Sequence, residues 1–133
     1  MAEPPAAPVQ PNSLTAWLRE RSDDQLREML RRRPDLALPA PTDLTTLASR
    51  VSVRTSVQRA VDGLDAFTLR VLEAVALTTA TERPSSRAAV TRLLPDVPAD
   101  DLDRAIAALQ DLALVWGGAG ELHPVAAVPD AIG

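Results

Sequence analysis

The core of this chain has to be assembled almost without aromatic rings. Its 133 residues include one Phe, two Trp and no Tyr, yet 46% of them are hydrophobic. The interior must therefore come from Leu, Val and Ala, a set that packs closely as helices. The length suits one ordinary domain or two very small ones. Cys is absent, which excludes disulfides and thiolate metal sites. His123 is the lone histidine and cannot alone form a metal cluster or a histidine-based triad. There is no Lys, so no Gly-rich phosphate loop of the usual Lys-bearing kind is present. The acidic pairs Asp23/Asp24 and Asp100/Asp101 fall at expected helix starts, where dipole complementarity accounts for them. The expectation is a non-enzymatic chain with no cofactor and no metal.

Charge divides the chain. The net value is −4, which argues against coating nucleic acid by bulk electrostatics. Residues 1–63 hold nine Arg against eight acidic residues, whereas residues 64–133 hold five against ten. No run approaches the roughly 18 apolar residues that a bilayer crossing needs. The Pro/Ala-rich start, "MAEPPAAPVQPNS", has neither the basic region nor the apolar core of a signal peptide. A soluble, cytoplasmic protein without a membrane partner is expected.

Residues 1–12 read as a disordered arm. Ser13 then caps a short helix burying Leu14, Trp17 and Leu18. Ser22 and Gln25 have capping-box spacing ahead of the stripe Leu26, Met29 and Leu30, and Pro34 ends that helix. "PDLALPAP" is expected to be an extended connector. Thr42 or Asp43 caps a helix with Leu44, Leu47 and Ala48 inward. A bend near 51–53 leads to another helix with Val57, Ala60 and Val61 inward, stopped by Gly63. This makes residues 13–63 a helical, helix-turn-helix-like unit.

Residues 64–133 follow a different order. "LDAFTLRVLEAVAL" is a broad apolar helix, "TTATERPSS" a loop, and "SRAAVTRLLP" a short helix. "PADDLDRAIAALQDLALVW" places Leu102, Ile106, Leu109 and Ala113 at helical spacing. "LVWGGAGELHPVAAV" sets two apolar runs around a Gly-rich turn, a hairpin signal, with Pro124 confining the second strand to an edge. Three helices and a hairpin are the order of a winged-helix domain. The fold expected is mainly α: tandem helical units, helix-turn-helix then winged-helix-like, with a small C-terminal β-hairpin.

A helix-turn-helix reader needs a supporting helix, a tight turn and a second helix that presents side chains to the major groove. "LASRVSVRTSVQRAVDGL" has that layout. It puts Arg50, Arg54, Thr55, Ser56, Gln58 and Arg59 at or near the outer surface, where Arg and Gln suit purines and Ser or Thr suit phosphates. Two features depart from the common pattern. Val51 stands where a turn Gly is usual, and Ser52 and Val53 invert the usual apolar-then-cap order. The alternative is a trihelical bundle whose polar face meets only water. Arg31, Arg32 and Arg33 form a second basic feature, open to phosphate binding or to plain helix-end stabilisation, with Glu28 at pairing distance.

The second unit points elsewhere. Its recognition-position helix carries Asp100, Asp101, Asp103 and Asp111, which DNA phosphates would repel. Protein contacts or self-association suit this acidic half better. Trp116 is either a partner anchor or, as we favour, the residue that closes the hairpin over the core.

The pieces "WLR", "LRRRPDL", "LPAPTDLTTLASR", "RTSVQRAVDGLD" and "VLEAVAL" together resemble the N-terminal region of actinobacterial helicase-associated proteins. Some of these share a domain type with XPB-like repair helicases. The tail "LALVWGGAGELHPVAAVPDAIG" is similar to the wing region that follows in that family. The resemblance spans about residues 13–133. It implies the front end of a larger DNA-binding or transcription-regulatory protein, with duplex DNA as partner, in a cytoplasmic, nucleoid-associated setting. It carries over no motor activity, because no Walker-type segment is present.

Overall fold

The computed structural model describes residues 13–82, 84–118 and 120–132. The expectation of a disordered arm at 1–12 lies outside these residues. The chain runs through α1 (Leu14–Glu20), α2 (Asp23–Arg32), a 3-10 turn (Pro34–Ala37), α3 (Leu44–Val51) and α4 (Arg54–Asp62). It continues with α5 (Ala66–Glu82), α6 (Arg87–Leu93), α7 (Ala99–Asp111), strands β1 (Val115–Gly118) and β2 (Glu121–Pro124), and α8 (Val128–Ile132). It is a mainly helical protein with a small antiparallel hairpin near its C-terminal end.

Local chemistry sets most of the helix starts. The Ser13 hydroxyl accepts from the Ala16 amide at 3.1 Å. Ser22 and Gln25 complete a reciprocal capping box, with bonds of 3.1 and 2.8 Å. Of the two cap candidates before α3, Asp43 takes the position and accepts from Thr46 at 2.7 Å. Ser86 does the same for α6 through the Ala89 amide.

Three segments differ from expectation. The connector after α2 is not wholly extended, because Pro34 opens a 3-10 turn that buries Leu36. "TTATE" is the last part of α5, not a loop. Its threonines satisfy their hydroxyls within the helix: Thr78 donates to the Ala74 carbonyl at 2.8 Å, Thr79 to Val75 at 2.7 Å and Thr81 to Leu77 at 3.1 Å. At the other end of the unit, α7 stops at Asp111. Ala113 takes a positive φ of 53°, and the Leu114 amide bonds back to the Leu109 carbonyl, so the chain turns into β1 there.

The two sequence units share one core. A single buried cluster runs from Trp17 and Leu18 through Val57 and Val61 to Leu72, Leu109, Leu122 and Val128. Helix α5 is its axis, packed by α6, α7, α8 and β2, while α1 meets α3 and β1, α2 meets α7, and α4 meets α8. The boundary at 63/64 therefore marks a change of charge and not a division of the interior. Arg21 illustrates the join. It lies 4.5 Å over the Trp17 ring and reaches Asp111 of α7 at 3.5 Å.

In the hairpin Trp116 pairs with His123 and Gly117 with Leu122. The Trp116 and His123 rings stack at 4.2 Å, 19° from parallel, and Trp116 packs on the core as the closure reading requires. Beyond β2, Ser85 forms an isolated antiparallel bridge, its carbonyl accepting from the Leu122 amide at 2.8 Å. The bridge is confined to Leu122. Pro124, lacking an N–H, pairs with Val115 alone.

Candidate nucleic-acid interface

The α3–α4 turn is built without the left-handed residue that a Gly supplies. Val51 is fully buried as the last residue of α3. Ser52 follows with φ −92° and Val53 with φ −66°, both ordinary for an L-residue. The inverted order has a structural consequence. The Ser52 hydroxyl donates back to the Ala48 carbonyl at 3.1 Å and closes α3. Val53 then opens α4 with no side-chain cap, and it is 47% exposed. The first amide groups of α4 thus lack a side-chain acceptor among the described residues.

Helix α4 turns Val57 and Val61 inward. Arg54, Thr55 and Arg59 lie exposed on its outer side. Neither Arg54 nor Arg59 has an ion-pair or hydrogen-bond partner among the described residues. Gln58 is half-buried and donates to Asp62 at 2.8 Å along the same helix.

Three expected contact residues are corrected. Ser56, 7% exposed, faces the interior, where it accepts from Arg33 and donates to Asp35. Arg33 is itself 2% exposed. Its guanidinium donates to the Leu112 carbonyl at 2.9 Å, the Val51 carbonyl at 3.0 Å and the Ser56 hydroxyl at 2.8 Å. It thereby closes the carbonyl ends of α3 and α7, and a buried Arg cannot reach a phosphate. Burial pushes its guanidinium down to about 10, with the nearby Asp35 carboxylate offsetting part of that. Arg50 is half-buried, and one terminal nitrogen donates to the carbonyls of Leu36 and Pro39. It ties the Pro-rich connector to α3.

Arg31 and Arg32 remain exposed but share one carboxylate. Arg31 forms a two-pronged pair with Glu28 at 2.9 and 2.5 Å, and Arg32 reaches the same side chain at 2.7 Å. Arg32 and Arg59 line a common groove of about 340 Å³, closed by Gly63, Leu64 and Leu112. The helix-end cluster therefore sits beside α4, a proximity that sequence spacing does not reveal.

The two arginines, Arg31 first, hold the Glu28 carboxyl at about 2, against an ordinary 4.5. A carboxylate depressed in the folded state stabilises fully above 4.5, and that contribution is lost as pH falls through about 2. Between those values the urea midpoint of the parent protein should drop more steeply than that of Glu28→Gln. Equal acid slopes for the two proteins would remove the pair from the account of stability.

The face of α7 is of opposite character. Asp100 and Asp101 are exposed at its start, Asp103 pairs with Arg87, and Arg104 reaches Asp101 at 3.1 Å. Among the described residues no group of His, Asp and Glu is placed to hold a metal ion. No described helix is long and apolar enough to cross a membrane. No protein-family model matches the chain, and neither a curated protein nor a solved structure shows significant similarity to it.

Proposed function

We propose that this chain is a duplex-DNA-binding module that presents α4 to the major groove, as the N-terminal part of a larger helicase-associated or transcription-regulatory protein. The observation that carries the reading is the outer face of α4, where Arg54, Thr55 and Arg59 stand exposed and the two arginines are without internal partners among the described residues. Arg32 flanks that face across the shared groove; it and its helix neighbour Arg31 supply phosphate contacts, while Arg54 and Gln58 are the candidates for base edges. In this reading α5, the Ser85 bridge, α6, α7, β1 and β2 make up a winged-helix-like unit. In this reading that unit supports the first and does not enter the groove with its acidic α7.

The test is an anisotropy titration of a duplex of about 20 base pairs at about 50 and 200 mM salt. Arg54→Ala/Arg59→Ala should weaken binding by at least about tenfold. Its plot of log affinity against log salt should be shallower by about 0.9 for each phosphate no longer neutralised. Both side chains are exposed, so the thermal midpoint should hold. Binding unchanged by the double substitution overturns the reading.

A second reading, a protein-interaction module, draws on the acidic surface of α7 and on the charge balance of residues 64–133. It predicts no salt-dependent duplex binding by the parent protein.

A further inference from the structure

The groove of about 340 Å³ opens where the end of α2, the second half of α4 and the end of α7 approach one another, and two guanidiniums from different helices line it, Arg32 and Arg59. Like charges held against one depression repel, and an anion between them relieves the repulsion. Arg32 commits only its Nε, to Glu28 at 2.7 Å. Both of its terminal amino groups are without a hydrogen-bond partner among the described residues, and so is the whole guanidinium of Arg59.

The neighbouring carboxylates do not fill the place between them. Glu28 is already shared by Arg31 and Arg32. Asp62, three residues on from Arg59, accepts from Gln58 at 2.8 Å and makes no ion pair among the described residues. Asp65 lines the groove, but its carboxylate is engaged by the Thr68 amide at 2.7 Å, which holds it below the usual carboxylate range. Its charge opposes an anion, and two guanidiniums stand against it. In the adjoining depression, which shares Asp65, Thr68 and Ala108, Arg104 is paired with Asp101 at 3.1 Å. Behind the Leu112 wall, the charges of Arg33 and Asp35 offset each other. What the groove leaves unmet is N–H donors.

The chemistry of those donors selects the occupant. A carboxylate presents two oxygens in one plane and satisfies one guanidinium fork. A phosphate presents oxygens in tetrahedral directions and accepts from two forks set on different helices. Ala60 and Gly63 are small enough to admit it closely, and Leu64 and Leu112 exclude water from one side, where a charge pair is stronger than in open solvent. We propose that this groove is a phosphate site in which Arg32 and Arg59 grip one phosphate group together. The phosphate belongs to a duplex backbone or to a free phosphate ester. In the first case the inference rests on the DNA reading and sharpens it, because the two arginines then meet one phosphate and not two. In the second it needs no DNA.

Inorganic phosphate is the probe of the site alone, titrated at constant ionic strength with acetate as comparator. The Nε–H signals of Arg32 and Arg59 should shift together with one dissociation constant, at least about tenfold tighter than for acetate. Arg32→Ala should weaken the Arg59 response at least about tenfold. Arg27→Ala, on the same helix but outside the groove, should change nothing. A response to phosphate no stronger than to acetate overturns the proposal, as does an Arg59 signal that responds undiminished in Arg32→Ala. The duplex titration then identifies the source. If a backbone phosphate fills the site, Arg32→Ala, Arg59→Ala and their double should each flatten the plot of log affinity against log salt by about 0.9. A double variant flattened by about 1.8 shows two phosphates and overturns the shared grip. Slopes unchanged by either substitution, or a parent that binds phosphate but no duplex, assign the groove to a free phosphate ester, and the latter result also ends the DNA reading.

Discussion

Replacing Arg33 by Ala lowers the unfolding free energy by about 3–5 kcal/mol, the expected scale for deleting one member of a buried, bonded charged group. The guanidinium serves partners on three separate elements: the last carbonyl of α3, a hydroxyl on α4 and the carbonyl just past α7. Deleting it leaves two helix-end carbonyls and the Ser56–Asp35 pair without their donor in an enclosed place, at about 1–3 kcal/mol for each orphaned group. A cavity is left as well. Lys restores little, because one ammonium at the end of a flexible stem cannot reproduce a planar fork aimed at three acceptors. Arg32→Ala, one residue earlier and on the surface, should stay within about 0.5 kcal/mol of the parent. Urea denaturation with an unchanged m-value measures both. Similar midpoints for the Arg32 and Arg33 variants would sink this description of the core.

The second large effect belongs to Gly117→Ala. Gly117 has φ +99°, and a Cβ built on it would clash with the Glu121 carbonyl oxygen across the hairpin and lie 3.2 Å from a His123 ring carbon. The conformation alone costs an L-residue about 1–3 kcal/mol. Backbone is the obstacle, so relief requires the strands to part. The cross-strand partner of Gly117 is Leu122, which is fully buried and held on its other side by Ser85. A drop of about 2–4 kcal/mol is expected, with a change in Trp116 fluorescence as its stack on His123 is disturbed. Gly120 is the control. Nothing lies within 4 Å of its Cβ position, so Gly120→Ala should leave the midpoint where it was. Equal midpoints for the two glycine variants would show that the hairpin tolerates the shift.

Much of the secondary structure is legible in the sequence because its causes are local. A cap bonds to an amide three residues on, and an apolar stripe repeats within one or two turns. Ser13, Ser22 with Gln25, and the stripe Leu102, Ile106, Leu109 all serve as the pattern predicts. The end of α5 departs from the pattern for a related reason. Thr residues signal loops by competing for backbone groups, but a helix can absorb their hydroxyls at the preceding turn, and Thr78 is held further by Ser85 at 2.5 Å. Helix α8 has too few residues to show any period, and only its seat against α4 and α5 reveals it.

The candidate interface is legible in outline and differs in part. The turn and α4 fall where the apolar rhythm places them, and Arg54 and Arg59 face solvent. Ser56 turns inward because it lies one turn before Ala60 on the inner side of α4, where Arg33 and Asp35 satisfy its hydroxyl. Arg50 is drawn to carbonyls of a connector whose path no short-range pattern describes.

The "RRR" run separates the two kinds of information most clearly. Its position at the end of a capped helix follows from neighbours within a few residues, and so do the Glu28 pairs of Arg31 and Arg32. That Arg33 alone would be enclosed depends on the Leu112 carbonyl, 79 positions along the chain. Arg31 and Arg32 are carried on the last turn of α2, whereas Arg33 is its C-cap, where the backbone has left the helix and turns the side chain inward. What waits in that direction is settled when α2 packs on α7, because burial is a property of the assembled core and not of any stretch of chain.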